Sequence, residues 1–332
     1  MITMFPYSVT PAPPAPTEVE WDGGGANDNW TTAENWTTDT APVAGDSLVF
    51  AGSTRLSPSN NFASGTSFAG IKFKSGAGNF VVGLSGTLNL SGGGAAFNND
   101  TSSGLMKISG AQNITFTAAP TFYTKTGASS EISDATIVNS GFDLTFDGGG
   151  TLLIEGWYPD ISGTGGIIKN GSGSLHIHLG ATTFTGNIVV NAGSFRFYGG
   201  SGDIDVKSGA TLYGSGYCSD ITIRSGATVN PGIDNLLPSS ITLESGSTFE
   251  VPLDGDAGDS RITSGSITLT GVNLTVSSVI NSTNGKIWYI LGYGTTTGTF
   301  VGKAEASTFV VSGRTLRINY NVSGYITLTD VT

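Results

Sequence analysis

Cysteine is almost absent from this chain. Cys218 is the single one among 332 residues, so no internal disulfide can form and stability has to come from packing and hydrogen bonding. Histidine is nearly as scarce, with His176 and His178 the only two. Charged residues make up 12%, against about a quarter in ordinary globular domains. The scarcer sign is positive: Lys and Arg total 14, Asp and Glu 25, and the net charge is −11. With no basic stripe to neutralise phosphates, the composition argues against nucleic acid as a partner. No run approaches the ~20 apolar residues of a membrane helix, and no series of ~10-residue amphipathic strands suggests a membrane barrel. Membrane insertion is therefore not expected. Nucleophile elbow, phosphate loop and metalloprotease helix are all missing. These gaps point to a protein that is not an enzyme and carries no cofactor.

What the chain has is glycine and regularity. It contains 50 glycines and 38% hydrophobic residues, and glycine shows no strict three-residue period, which excludes a collagen helix. From Gly165 to Leu269 a two-strand unit recurs. One strand reads Ile-x-apolar at Ile188, Ile204, Ile221, Ile241 and Ile267. The second strand is entered at Phe195, Leu212, Val229 and Phe249, which lie 17, 17 and 20 residues apart by subtraction. The turns share words: Lys207-Ser208-Gly209-Ala210-Thr211, Arg224-Ser225-Gly226-Ala227-Thr228 and Glu244-Ser245-Gly246-Ser247-Thr248. Alternate strand residues point to one face. A unit this short cannot bury an apolar face alone, so the units must stack into a solenoid.

The flanks extend this picture. Residues 1–20 are expected to be a Pro-rich extended arm, because Pro11, Pro13, Pro14 and Pro16 favour a polyproline-like spacer. With Phe5, Pro6 and Tyr7 they form a candidate anchor. Met1 to Tyr7 has neither a basic segment nor a sustained apolar run and does not resemble a secretory signal. Residues 21–65 hold Trp21, Trp30 and Trp36, a candidate lid for the exposed end of a solenoid or, alternatively, a platform for sugar rings. Residues 66–269 are expected to be the coil, interrupted by a loop at Trp157 and Tyr158, two further glycan-binding candidates. Residues 270–332 are expected to form a small C-terminal β cap, with Leu316–Tyr320 and Tyr325–Leu328 antiparallel.

Several of these residues resemble a known family. Gly165-Gly166-Ile167-Ile168-Lys169-Asn170-Gly171-Ser172-Gly173-Ser174-Leu175, Thr183-Phe184-Thr185-Gly186 and Val190-Asn191-Ala192-Gly193-Ser194-Phe195 resemble the passenger-associated, or autotransporter-associated, β-strand repeat. Thr299-Phe300-Val301-Gly302 is similar to the end region of such chains. The resemblance, specific over roughly residues 160–235, implies an all-β, right-handed parallel β-helix. It brings no catalytic residues with it, since the repeat is a scaffold.

Chemistry is sparse. His176 and His178 share a strand face and could begin a metal site, but zinc needs three or four ligands and no further His or Cys is near in sequence. Asp254, Asp256 and Asp259 form an oxygen-rich loop without the ligand spacing of a calcium motif. Asp143, Asp147, Glu155 and Asp160 lie around the Trp157 loop and could supply an acid/base pair only if two met at the right separation. The leading expectation is a structural virion protein, a capsid decoration or fibre at the virion surface. Its arm would bind capsid or tail proteins, its solenoid would meet a host-surface glycan, and it would assemble as a homotrimer. One alternative is a bacterial adhesin passenger at the cell surface or outside the cell. Another is a glycan-depolymerising tailspike.

Overall fold

A computed structural model describes residues 16–92, 94–156, 161–179, 184–232, 235–255 and 261–332. The described chain is built almost wholly of strands. Its one helical segment is a single 3-10 turn, Ala33–Asn35. The strands stack in parallel, coil upon coil, with inward positions apolar and outward positions polar. Strand Ile188–Val190 shows the pattern: Ile188 and Val190 are buried and Val189 is not. The architecture is a parallel β-solenoid.

Coil length changes along the stack. Leu48 pairs with Ile71 and Ile71 with Phe97, giving coils of 23 and 26 residues by subtraction. Ile188 pairs with Ile204 and Ile204 with Ile221, giving 16 and 17. The difference is a third face. Strands Ser67–Phe68, Leu88–Leu90, Asn113–Phe116, Thr136–Val138 and Ile161–Ser162 form a parallel sheet of their own. Beyond it, among the described residues, that flank shows single bridges, Gly163 to Phe184 and Ser201 to Cys218. The segment with the shortest period is thus the leanest part of the coil. There, strand Thr211–Ile223 pairs with Ser194–Gly199 through its first half and with Ile204–Val206 through its second.

Two devices hold successive coils in register. The repeated turn words place glycine in the left-handed region, with φ of +82° at Gly209, +79° at Gly226 and +88° at Gly246, where a side chain would be strained. At the opposite corner, Asp or Asn precedes the strands that start at Leu144, Ile188, Ile204 and Ile221. Its carboxylate or amide oxygen accepts the backbone N–H at the same place one coil on. Asp143 accepts from Gly166 at 2.7 Å, Asn187 from Asp203 at 3.0 Å and Asp203 from Asp220 at 3.2 Å. Asp220 accepts from the Ser240 hydroxyl at 2.8 Å.

The N-terminal end differs from the sequence expectation. Parallel stacking already begins at strand Glu18–Trp21, which pairs with Ser47–Phe50. The coil therefore starts inside the stretch expected to be an arm and runs through the stretch expected to be a lid. Phe5, Pro6, Tyr7, Pro11, Pro13 and Pro14 lie outside the described residues; Pro16 is exposed. At the other end, Ile287–Thr297 pairs in parallel with Arg261–Thr268 and antiparallel with Tyr325–Asp330. Arg314–Val322 pairs antiparallel with both Thr308–Val311 and Tyr325–Asp330. Parallel stacking thus gives way to an antiparallel sheet that closes the C-terminal end of the core.

Candidate functional site

The three N-terminal tryptophans do not form a sugar platform. Trp21, Trp30 and Trp36 are each 0% exposed. Trp21 and Trp36 meet edge to face at 5.3 Å, and Phe50 packs against all three at 5.9 to 6.2 Å. The reason is hydrophobic: these indoles fill the first coils, where the largest apolar groups gain most from burial. Trp36 Nε1 donates to the Trp30 carbonyl at 2.8 Å, while the Trp21 and Trp30 indole nitrogens find no acceptor. Trp157 and Tyr158 lie outside the described residues.

The two histidines lead somewhere more useful. Strand Ser174–Leu179 buries Leu175 and Ile177 and turns His176 and His178 outward. In register on the next coil stand Arg196 and Tyr198, and on the following one Tyr213 and Ser215. The result is a grid of polar and aromatic side chains on the outer face. The His178 and Tyr198 rings lie 4.8 Å apart. The Arg196 guanidinium sits over the Tyr213 ring at 5.3 Å and reaches the Tyr198 hydroxyl at 3.4 Å. Burial, aided by Arg196 and opposed by Glu155, holds His176 below the ordinary imidazole range. Burial and Glu250 push the Tyr213 phenol up, against Arg196.

The grid continues to the open flank. Tyr217 follows Tyr213 and Ser215 at alternate positions of one strand and is 72% exposed. It borders a solvent-open hollow of about 330 Å³, past the last strand of the third sheet among the described residues. Arg196, Tyr198, Tyr213 and Tyr217 were not candidates from sequence. The signal was available: applying the period to His176 and His178 lands on Arg196 and Tyr198, and again on Tyr213.

Among the described residues the metal candidates do not assemble: no three His, Cys, Asp or Glu side chains cluster in a way that could hold a metal ion. Asp254 closes strand Thr248–Asp254 and accepts from the Asn281 amide at 3.1 Å; Asp256 and Asp259 lie outside the described residues. Asp143 is committed to its corner bond, and the Asp147 carboxylate accepts from the Gly148 N–H at 2.7 Å. Asp160 also lies outside the described residues. Cys218 is buried and free. Burial, then Asp203 and Asp220, push its thiol up to about 12, so it is a poor nucleophile.

Fold and surface define a class: a parallel β-solenoid whose inner face is apolar and whose outer faces carry its chemistry. Over 85 residues the chain is 38% identical to the Neisserial autotransporter lipoprotein NalP, in two serogroup B strains of Neisseria meningitidis. The matched stretch covers 25% of this chain and 8% of each relative, so the chain corresponds to a small part of their length. No protein-family profile matches the chain. No solved structure matches it either.

Proposed function

We propose that this chain is the β-helical portion of a bacterial surface protein of the autotransporter type, a non-enzymatic scaffold that presents its outer faces for adhesion. The observation that carries the reading is the 85-residue similarity to an autotransporter lipoprotein, on a chain whose fold is the parallel solenoid that the repeat resemblance implied. The physics suits such a role. A parallel stack ties every coil to its neighbours by backbone hydrogen bonds and needs no disulfide, while outward residues can vary without touching the core. The virion placement expected from sequence gains nothing from this similarity. The reading advanced here is the alternative that stood beside it.

Antibody raised against the purified chain and applied to intact cells of the source bacterium tests the proposal. Surface labelling that is removed by protease added outside the cells is the expected result. Recovery of the chain only in the cytosol, or only with phage particles, overturns it. The homotrimer is likewise a proposal, and the mass of the purified chain in solution checks it.

A further inference from the structure

The hollow beside Tyr217 has the composition of a binding site rather than of a packing defect. Its lining includes Phe184, Thr185, Gly200, Ser201, Tyr217 and Ser219, and no charged side chain lines it among the described residues. At about 330 Å³ it falls at the lower end of the ~300–1,000 Å³ range of small-ligand sites. Its origin lies in the coil geometry. Among the described residues the third flank carries single bridges here rather than a sheet, and the glycine run at Gly199, Gly200 and Gly202 keeps the wall low. Tyr217 stands at the rim, the most exposed of the large hydrophobic side chains among the described residues at 72%. An aromatic ring left in water beside hydroxyls and accessible backbone offers one flat apolar face with donors and acceptors next to it.

We infer that this hollow binds a neutral saccharide, with Tyr217 as the stacking platform and the Thr185, Ser201 and Ser219 hydroxyls as hydrogen-bonding partners. A pyranose ring has the matching chemistry: a C–H face for the ring and hydroxyls that both donate and accept. Charge selects the neutral class. Asp203 and Asp220 directly follow the rim residues Gly202 and Ser219, and the lining holds no cation to offset them, so a carboxylated or sulfated sugar is repelled. The grid of His178, Arg196, Tyr198 and Tyr213 leads to the hollow along the strand that carries Tyr217; its cation, Arg196, is held on the Tyr213 ring and the Tyr198 hydroxyl, and the grid extends the surface along which a longer chain of sugars lies.

This inference gives the adhesive reading a ligand class and rests on it, but its test is independent of where the protein resides. Saturation-transfer NMR is run on the purified chain with lactose, maltotriose and tri-N-acetylchitotriose, and with trigalacturonate as the acidic comparison. Transfer to at least one neutral sugar is expected. Tyr217→Phe should retain it, and Tyr217→Ala should weaken binding at least about tenfold. Ser219→Trp, which fills the hollow from an exposed rim position, should abolish it; unchanged thermal midpoints show that both variants fold. No transfer to any neutral sugar overturns the inference, as does transfer that survives both Tyr217→Ala and Ser219→Trp. Stronger transfer to trigalacturonate overturns the charge argument on which the neutral class rests. A chain that binds none of these sugars yet labels at the cell surface leaves the surface role standing and removes only the ligand.

Discussion

Phe146 and Lys169 occupy the same inward register position on successive coils. The position above Phe146 is Phe122, with rings stacked at 4.9 Å; the one after Lys169 is Val190. An aromatic column inside the solenoid is therefore followed by a lysine that is only 3% exposed. Its stem fills the column, and its ammonium turns to the corner and donates to the carbonyls of Asn170, Gly171 at 2.9 Å and Ala192 at 3.2 Å. Two successive turns are tied by one cation.

Lys169→Ala should cost about 3–5 kcal/mol, since it opens a cavity and strips the turn carbonyls of their donor. Lys169→Met keeps the stem and should cost less, about 1–3 kcal/mol. Burial lowers the Lys169 pKa to about 8, with Asp147 opposing. Between that value and the ordinary lysine range near 10.4, the unfolded chain holds a proton that the folded chain has released. Stability should therefore rise with pH across this window, by up to about 3 kcal/mol. Urea unfolding at pH 7 and pH 10 checks this, and the wild-type minus Lys169→Met difference isolates the lysine. A difference that does not change with pH would mean that the ammonium stays protonated on its carbonyls.

The two indoles Trp30 and Trp36 should respond differently to the same substitution. Both are fully buried, so Phe leaves comparable gaps. Trp36→Phe also deprives the Trp30 carbonyl of its partner, whereas Trp30→Phe removes an indole N–H that has no acceptor. Trp36→Phe should be the more destabilising by about 1–3 kcal/mol. Chemical denaturation of the two variants side by side decides it, and equal losses would show that the hydrogen bond contributes nothing.

The solenoid was legible from its period because inward residues such as Ile188, Val190, Ile204 and Val206 repeat at the spacing of the coil. Its beginning was not legible. Glu18–Trp21 alternates too briefly to announce a strand, and prolines just before it read as spacer. The three tryptophans were ambiguous for a physical reason, since large rings serve equally to fill a core and to meet a sugar; only burial separates the two. The corner ladder was readable in principle, as Asp or Asn before Leu144, Ile188, Ile204 and Ile221. The hollow beside Tyr217 was not, because it lies where the third sheet ends among the described residues, and no residue pattern marks that end.

Asp330 closes the antiparallel end and should make it acid-sensitive. Its side chain is fully buried. Burial alone would raise its pKa, but hydrogen bonds from Ser282, Thr332 and Arg314 outweigh this and hold the carboxyl below the usual range. Both Arg314 Nε and Nη2 reach Oδ2 at 2.6 Å, and the Thr332 N–H reaches Oδ1 at 3.0 Å. A depressed folded pKa means that the stabilisation is complete above the unfolded value near 3.9 and is lost as pH falls through it toward the folded value. Asp330→Asn should cost about 2–3 kcal/mol at pH 7 and should flatten the loss of stability below about pH 4. Thermal unfolding from pH 7 to pH 3 reads both, and a variant as acid-sensitive as wild type would locate the sensitivity elsewhere.

Cys218 tests the geometry beneath the hollow without any ligand. It lies next to the exposed Tyr217 in sequence but on the opposite side of the strand, buried on the floor. With its thiol pushed up to about 12, the folded protein holds almost no thiolate at pH 8, whereas an unfolded cysteine with a pKa near 8.5 is substantially ionised. Iodoacetamide should therefore alkylate the native chain more slowly than the urea-unfolded chain by about three orders of magnitude. Tyr217→Ala removes a rim residue and leaves the Ser201–Cys218 backbone bridge in place, so the native rate should rise only by the gain in access and stay far below the unfolded one. Native alkylation as fast as in urea would show that this strand does not turn Cys218 inward, and the alternation that puts Tyr217 on the rim would fall with it.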